Sequence, residues 1–460
     1  MSSSRELQQK APRATRPQLV MPDVLDGAAE TFVEGHGDTL ITSDGRSVID
    51  AVSGIGVTCL GYDVPGVVQR MAEQAARLQF AHALHFDTPP AQELAARVAG
   101  HAPDGLDWAF FVSGGSEAME SAIKFARQYW LERDRPGKWR VIGRWPSFHG
   151  STIATLSAGW HQARRSRHKP LLLDFPHIEA PNLYRGCSHC REAGGCTLAC
   201  ADELERALIR EGADTISAFI AEPVAGAAGA AATPDDGYFA RIRAICDHYE
   251  VLFIADEVIT GFGRTGRWFA IDHWDVVPDM IVFAKGISAG FVPLGGFVAK
   301  TELMRAFARG SGRFEHNFTM VGHPVACATG CAVLDELERI DAPARVQRDE
   351  PALFAALGQL LAAPLVGDVR GKGFLAGIEL VSEPASKTPF EPHQAVAARV
   401  ADAALAEGLL VYPCGGSADG SGDHLLIMPA LNMATSRFTE IAELLGRALA
   451  AVGSELGVAG

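Results

Sequence analysis

The sequence predicts an α/β fold: a largely parallel sheet with helices on both faces, followed by a smaller α+β domain. Three observations carry this expectation. Short apolar runs at 139–142, 217–221, 251–255, 279–283 and 296–299 alternate with helix-patterned segments, the arrangement that builds βαβ units. Several of these runs end on polar residues, and ligand groups in open α/β sheets gather at strand carboxyl ends. From about residue 336 the alternation gives way to a helix, a strand, an Ala-rich helix, a strand, a Gly-rich loop and a last helix.

In chain order, residues 1 to about 25 read as a flexible or partner-wrapping arm. Short strands at 31–34, 39–42 and 47–50 follow, with the Asp44-Gly45 turn between the last two. Helical periodicity covers 65–78 and 90–99. An apolar stretch at 110–112 leads into Ser113-Gly114-Gly115-Ser116 and a helix over 117–131. In the last part, 373–380 reads as a strand, 392–407 as one long helix and 415–422 as a mobile glycine-rich lid. The expected division is 1–75 as an N-terminal arm and strands packing with the small domain, 76–335 as the large domain, and 336–460 as the small domain.

Bulk properties narrow the function. The chain has 460 residues, 48 of them glycine, and 48% are hydrophobic, enough for one large core and a smaller one. A formal net charge of −14 argues against nucleic acid or an anionic membrane as partner. Glycine, proline or charge interrupts every apolar run before it reaches membrane-spanning length. The first ten residues are polar and lack an apolar signal core, so a cytoplasmic protein is expected. Of nine cysteines, Cys59, Cys246, Cys327, Cys331 and Cys414 are scattered through mostly apolar contexts, as small buried hydrophobes are.

Chemistry is concentrated at the ends of the apolar runs. Lys285 follows one and Asp256 ends another, so an amine and an acid could face one ligand. A lysine there can form a Schiff base, and an aspartate can keep a pyridine nitrogen protonated. Pyridoxal phosphate chemistry needs those two groups most. Taken singly, a lysine after a strand is usually solvated, and an Asp-Glu pair often caps a helix. Gly115 and Ser116 stand between strand and helix, where backbone N–H groups and the helix N-terminus suit an anion. Phe148 follows another strand and could stack on a heteroaromatic ring, with His149 as a hydrogen-bonding support. Glu222-Pro223 follows the 217–221 run, and the segment His316 to Pro324 brings Thr319 and a tight turn.

In this order the residues resemble the class III (ω-type) aminotransferases of pyridoxal phosphate fold type I, over nearly the whole chain. The most specific stretch runs from Asp256-Glu257-Val258 through Thr260-Gly261, Gly263-Arg264-Thr265-Gly266 to Lys285-Gly286. The resemblance implies a mostly parallel seven-stranded sheet and pyridoxal 5'-phosphate as cofactor. It implies that Lys285 bonds the cofactor and moves the substrate proton, while Asp256 holds the ring nitrogen protonated. Phe148 and Val258 would cover the ring faces, Gly115 and Ser116 would bind the phosphate, and Glu222 would support Asp256 or the ring hydroxyl. Thr319 would reach the phosphate of the other subunit's cofactor, which makes an obligate homodimer. Arg264 reads as a structural ion-pair residue.

The chain departs from the family at its acceptor end. Leu426 stands where members that use α-ketoglutarate often carry an arginine, and Ala227 where they carry the glutamate that masks it. Losing both together avoids an unpaired charge. The loop 415–422 also lacks the mobile arginine of amine:pyruvate members, with Asp419 about where it would be. The run Arg164-Arg165-Ser166-Arg167-His168-Lys169 is one replacement anchor, or else a solvated surface stretch. Cys187, Cys190, Cys196 and Cys200 form either a compact structural zinc site or an insert of buried and redox-labile thiols. No other metal site is expected. The expected activity is transfer of an amino group from a primary amine or ω-amino acid to a keto acid, pyruvate first, by ping-pong half-reactions. Aminomutases, racemases and dialkylglycine-type decarboxylases share Lys285 and Asp256 and remain as alternatives. A regulator built on the same fold would carry a DNA-binding domain, and no such segment is visible.

Overall fold

The structure is a computed structural model that describes residues 30–187, 196–418 and 420–458. The expectations for residues 1–25, Cys190 and Asp419 therefore lie outside the described residues.

Strands β1 (Phe32–His36), β2 (Thr39–Thr42) and β3 (Ser47–Asp50) form an antiparallel meander. The central sheet contains β4 (Leu106–Val112), β5 (Arg140–Trp145), β6 (His177–Glu179), β7 (Ile216–Ala221), β8 (Leu252–Asp256), β9 (Met280–Phe283) and β10 (Gly295–Lys300). Its spatial order is β4-β10-β9-β8-β7-β5-β6. The strands from β6 across to β9 pair in parallel, and β10 runs antiparallel to both β9 and β4. Every residue of β7, β8 and β9 is buried, because helices cover both faces of a parallel sheet. The helix Gly115–Leu131 lies against β10, β9 and β7 and buries Ala118, Met119, Ala122, Ile123, Phe125 and Ala126, spaced at one to four residues along one apolar face.

The remaining strands are β11 (Val366–Lys372), β12 (Leu375–Leu380), β13 (Leu409–Leu410), β14 (Tyr412–Ala418) and β15 (Ser421–Ile427). Four of them form an antiparallel sheet in the order β11-β12-β15-β14, and β13 crosses to pair in parallel with β3. Among the described residues no helix is long and apolar enough to cross a membrane.

One expected strand gains a partner, and a second expectation, a single helix over 392–407, is corrected. The strand expected at 373–380 is the second arm of a hairpin, β11–β12, whose turn uses Gly373 at φ +60°. A Cβ there would sit 2.5 Å from Thr265 Cα, so the turn needs glycine for space as well as conformation. The helix expected over 392–407 is two pieces. A short turn, Pro392–Gln394, is closed by reciprocal bonds between Glu391 and Gln394, and Ala395 at φ +45° separates it from the helix Val396–Ala406. The glycine-rich stretch 415–422 is not an unpaired loop. Most of it lies in the β14–β15 hairpin, with Cys414 opposite His424 and Gly415 opposite Asp423. β6 was not expected at all, since three residues are too few for a periodic signal.

Candidate active site

The carboxyl ends of three adjacent, fully buried strands open on one cleft. Glu222 follows β7, Asp256 ends β8, and Lys285 comes two residues after β9. Gly115, Ser116, Phe148, His149, Gly150, Glu222, Asp256, Val258 and Lys285 all line this cleft. Val224, Ala227, Ile259, Thr260 and Ala284 complete its walls. Parallel strands bring groups more than one hundred residues apart to the same edge, as the sequence order implied.

Asp256 is buried at the cleft floor. Its Oδ2 accepts a 2.7 Å hydrogen bond from His149 Nδ1, and its Oδ1 accepts the Val258 N–H at 3.1 Å. An ionised carboxylate only accepts, so Nδ1 is the protonated nitrogen of this pair. His149 Nε2 is buried and has no partner in the structure. Glu222 accepts the Gly226 N–H at 2.8 Å through Oε1, whereas Oε2 has no partner. Glu222 thus makes no direct hydrogen bond to Asp256. Burial raises its carboxyl above the ordinary range, and the Asp256 charge adds to that, against the pull of His149 and Arg144.

Lys285 sits at φ +48°, a left-handed conformation that a side-chain-bearing residue holds only under constraint. Burial lowers its amine to about 8, opposed by the charges of Asp256 and Glu222. Removal from water disfavours the ammonium form, so the neutral nucleophile is far more populated near physiological pH than in a solvated lysine.

At the other end of the cleft, Gly115 opens the helix Gly115–Leu131, whose first N–H groups lack intrahelical acceptors. A Cβ on Gly115 would stand 3.1 Å from Val258 Cγ1, so this position keeps the backbone within reach of a ligand. Ser116 Oγ accepts the Ser151 N–H at 3.1 Å, tying the helix start to the loop that carries Phe148 and His149. Helix dipole, free N–H groups and a hydroxyl together suit a phosphate.

Other expected residues lie elsewhere. Thr319 is exposed on the loop before the helix Pro324–Arg339 and does not reach this cleft. Arg264 is fully buried, but among the described residues it forms no ion pair. Its Nη1 donates to the carbonyls of Phe374 (3.2 Å) and Pro429, which corrects the ion-pair expectation. Burial lowers it to about 10. Ala227 lines the cleft, next to the apolar Val224 and Ile259, whereas Leu426 is buried in β15 and does not line it. The basic run divides. Arg165 clamps the carbonyls of Leu156, Ser157 and Gly159, while Arg164 lies over the Phe148 ring at 4.5 Å. Cys187 and Cys200 are buried and Cys196 is exposed. Among the described residues no group of three or more His, Cys, Asp or Glu stands where it could hold a metal ion. Sequence reasoning did not single out Ile259 or Thr260 as cleft residues, although both lie inside the Asp256–Gly266 motif.

Amine, buried carboxylate, aromatic wall and anion-binding helix start fit a phosphorylated heteroaromatic aldehyde. Comparison with known proteins agrees. Residues 27–449 match the family model for class III aminotransferases. The chain is 36% identical to the aminotransferase YodT of Bacillus subtilis, over 95% of this chain and 98% of that protein. It is 34% identical to the putrescine–pyruvate aminotransferase of Pseudomonas aeruginosa, over 92% and 90% of the two chains. The crystal structure of an amine transaminase from an uncultivated Pseudomonas species, in its PLP-bound form, superposes with a TM-score of 0.86 at 32% identity, covering 96% of this chain and 99% of that one. The chain belongs to the class III aminotransferases, enzymes dependent on pyridoxal phosphate.

Proposed function

We propose that the protein moves an amino group from a primary amine or ω-amino acid to pyruvate, in two half-reactions at one cleft. The observation that carries this reading is the Lys285 amine, lowered to about 8, facing the buried Asp256–His149 pair in a cleft with an apolar far wall. Bound there, pyridoxal phosphate supplies an aldehyde to take up the amino group and an electron-withdrawing ring beside the bond that breaks.

The protein's own groups do the rest. Lys285 would hold the cofactor and would carry the substrate proton on its Nζ. Asp256, fixed by His149, keeps the ring nitrogen protonated. Phe148 and Val258 hold the ring plane. Gly115 and Ser116 take the phosphate through N–H groups and a hydroxyl. Val224, Ala227 and Ile259 exclude water from the reacting carbon. The apolar lining at Val224, Ala227 and Ile259 gives the distal carboxylate of 2-oxoglutarate no partner, which favours the smaller pyruvate. The relative named for putrescine and pyruvate supports that choice.

The functional unit is a homodimer, with Thr319 completing the phosphate site of the other subunit. Exposed Phe80, Leu84, Phe86 and Met320, apolar side chains that a monomer would leave in water, support this. The same reading keeps 76–335 as the cofactor-binding domain and 336–460 as the small domain.

The test mixes cofactor-loaded enzyme with a panel of amines and amino acids, then with pyruvate or 2-oxoglutarate, following cofactor absorbance. The expected result is a spectral change with one donor class that pyruvate reverses, with alanine formed. A change that no keto acid reverses would instead indicate an isomerase or a decarboxylase.

A further inference from the structure

We propose that Arg164 anchors the carboxylate of the keto-acid acceptor, taking over a task for which this chain has no arginine at Leu426. The inference rests on the transaminase reading above.

Arg164 belongs to the short helix Gln162–Arg165, which follows the Phe148 loop. Its neighbour Arg165 is fully committed, bonded to three backbone carbonyls and stacked on Trp160 at 4.4 Å. That clamp fixes the short helix, and Arg164 reaches the ring of Phe148. The Arg164 guanidinium lies 4.5 Å from the centroid of Phe148, a cleft-lining ring, and donates a 3.0 Å hydrogen bond to the Tyr412 hydroxyl. Both partners are neutral. Among the described residues Arg164 forms no ion pair, so its charge has no anionic partner there. Its field also reaches Lys285, and the other arginine that does so, Arg264, is sealed in the core on two carbonyls. Arg164 is thus an exposed guanidinium resting on a cleft-lining ring.

A planar guanidinium held by a ring face and one phenol can turn to form two parallel bonds with a carboxylate. With an amine that has no carboxylate it can stay on Phe148. One cleft then serves an apolar donor in one half-reaction and a keto acid in the other. Val224, Ala227 and Ile259 line the far side and receive the uncharged part of either substrate.

The test uses the cofactor-loaded protein and the variants Arg164→Gln and Arg164→Lys. The return half-reaction is followed with pyruvate and with butanal, which lacks the carboxylate. Calorimetry measures the dissociation constant of propanoate, an unreactive carboxylate. In Arg164→Gln the preference for pyruvate over butanal is expected to fall about 10- to 100-fold, and the propanoate dissociation constant to rise by a similar factor. Arg164→Lys should recover part of both, since it keeps the charge and loses the fork. Equal effects on pyruvate and butanal, or an unchanged propanoate constant, would overturn the assignment. If no amine gives a donor half-reaction with the wild type, the transaminase reading fails, and propanoate binding alone then decides on Arg164.

Discussion

Glu257, next to Asp256, is expected to make the fold's stability depend on pH, and Glu257→Gln to remove that dependence. Its side chain is fully buried behind the cleft floor. Oε1 accepts the Ile271 N–H at 2.8 Å and Oε2 meets the Thr260 hydroxyl, so the residue ties the end of β8 to the turn Ala270–Trp274. Burial raises its carboxyl to about 7, against an ordinary 4.5. The folded state therefore keeps a proton that the unfolded chain has already lost over this range. Stability is greatest on the acid side and falls as pH rises from about 4.5 to about 7, then levels off. Each pH unit between the two values is worth about 1.4 kcal/mol, so the full loss is about 3 kcal/mol. Glutamine has no proton to lose, keeps an acceptor for Ile271 and offers Thr260 a donor. Urea unfolding of both proteins, with pyridoxal phosphate held in constant excess, would be compared at about pH 5 and pH 8. The wild type should lose about 2–3 kcal/mol relative to Glu257→Gln across that interval. Taking the difference cancels titrations that both proteins share. A difference that stays flat with pH would refute the reasoning.

Lys285→Ala should abolish turnover yet retain noncovalent cofactor binding, measured by equilibrium dialysis; retained turnover would remove Lys285 from the mechanism. Asp256→Asn should still take up cofactor covalently, seen in its absorbance, while turnover drops about 100- to 1,000-fold, the scale of losing one preorganised electrostatic group. Cofactor uptake by apoprotein should speed up as pH rises, with a midpoint near 8, because the neutral Lys285 amine is the reactive form. A stopped-flow profile flat between about pH 7 and pH 9 would contradict this.

The centre of the fold was legible because burial on both faces leaves a plain signal. Strands β7, β8 and β9 are apolar except for Ser217 and the terminal Asp256, and the polar residues at their ends, Glu222, Asp256 and Lys285, stand where a parallel sheet must place them. The β14–β15 hairpin was hidden because its order lies in backbone pairing, and glycines carry no side-chain pattern to announce it. The same limit applies to Arg264. Its partners are the carbonyls of Phe374 and Pro429, 110 and 165 residues away, and no residue type in a sequence signals a carbonyl acceptor. Arg164 was visible only as one of several basic residues. The division of labour with Arg165 follows from a helix of four residues that points adjacent side chains in different directions.

A lowered lysine does not by itself mark a reactive site. Burial also lowers Lys138 to about 8, the same value as Lys285. Yet the Lys138 ammonium donates to the carbonyls of Ala213 at 2.9 Å, Ile216 at 3.1 Å and Glu250 at 2.8 Å, and it lies over the Trp130 ring at 4.6 Å. Those bonds occupy the three hydrogens of an ammonium, so Lys138 pins the amino ends of β7 and β8 and has no room to attack anything. Lys285 stands at the opposite, carboxyl end of the same sheet, on an open cleft with Asp256 and Glu222 close enough to act on its charge. Burial is the main cause of both shifts, and the partners of the amine are what separate the structural lysine from the reactive one. The arginines divide in the same way. Arg264 and Arg165 are spent on carbonyls, while Arg164 rests on a ring face and a phenol that it can leave when a carboxylate arrives.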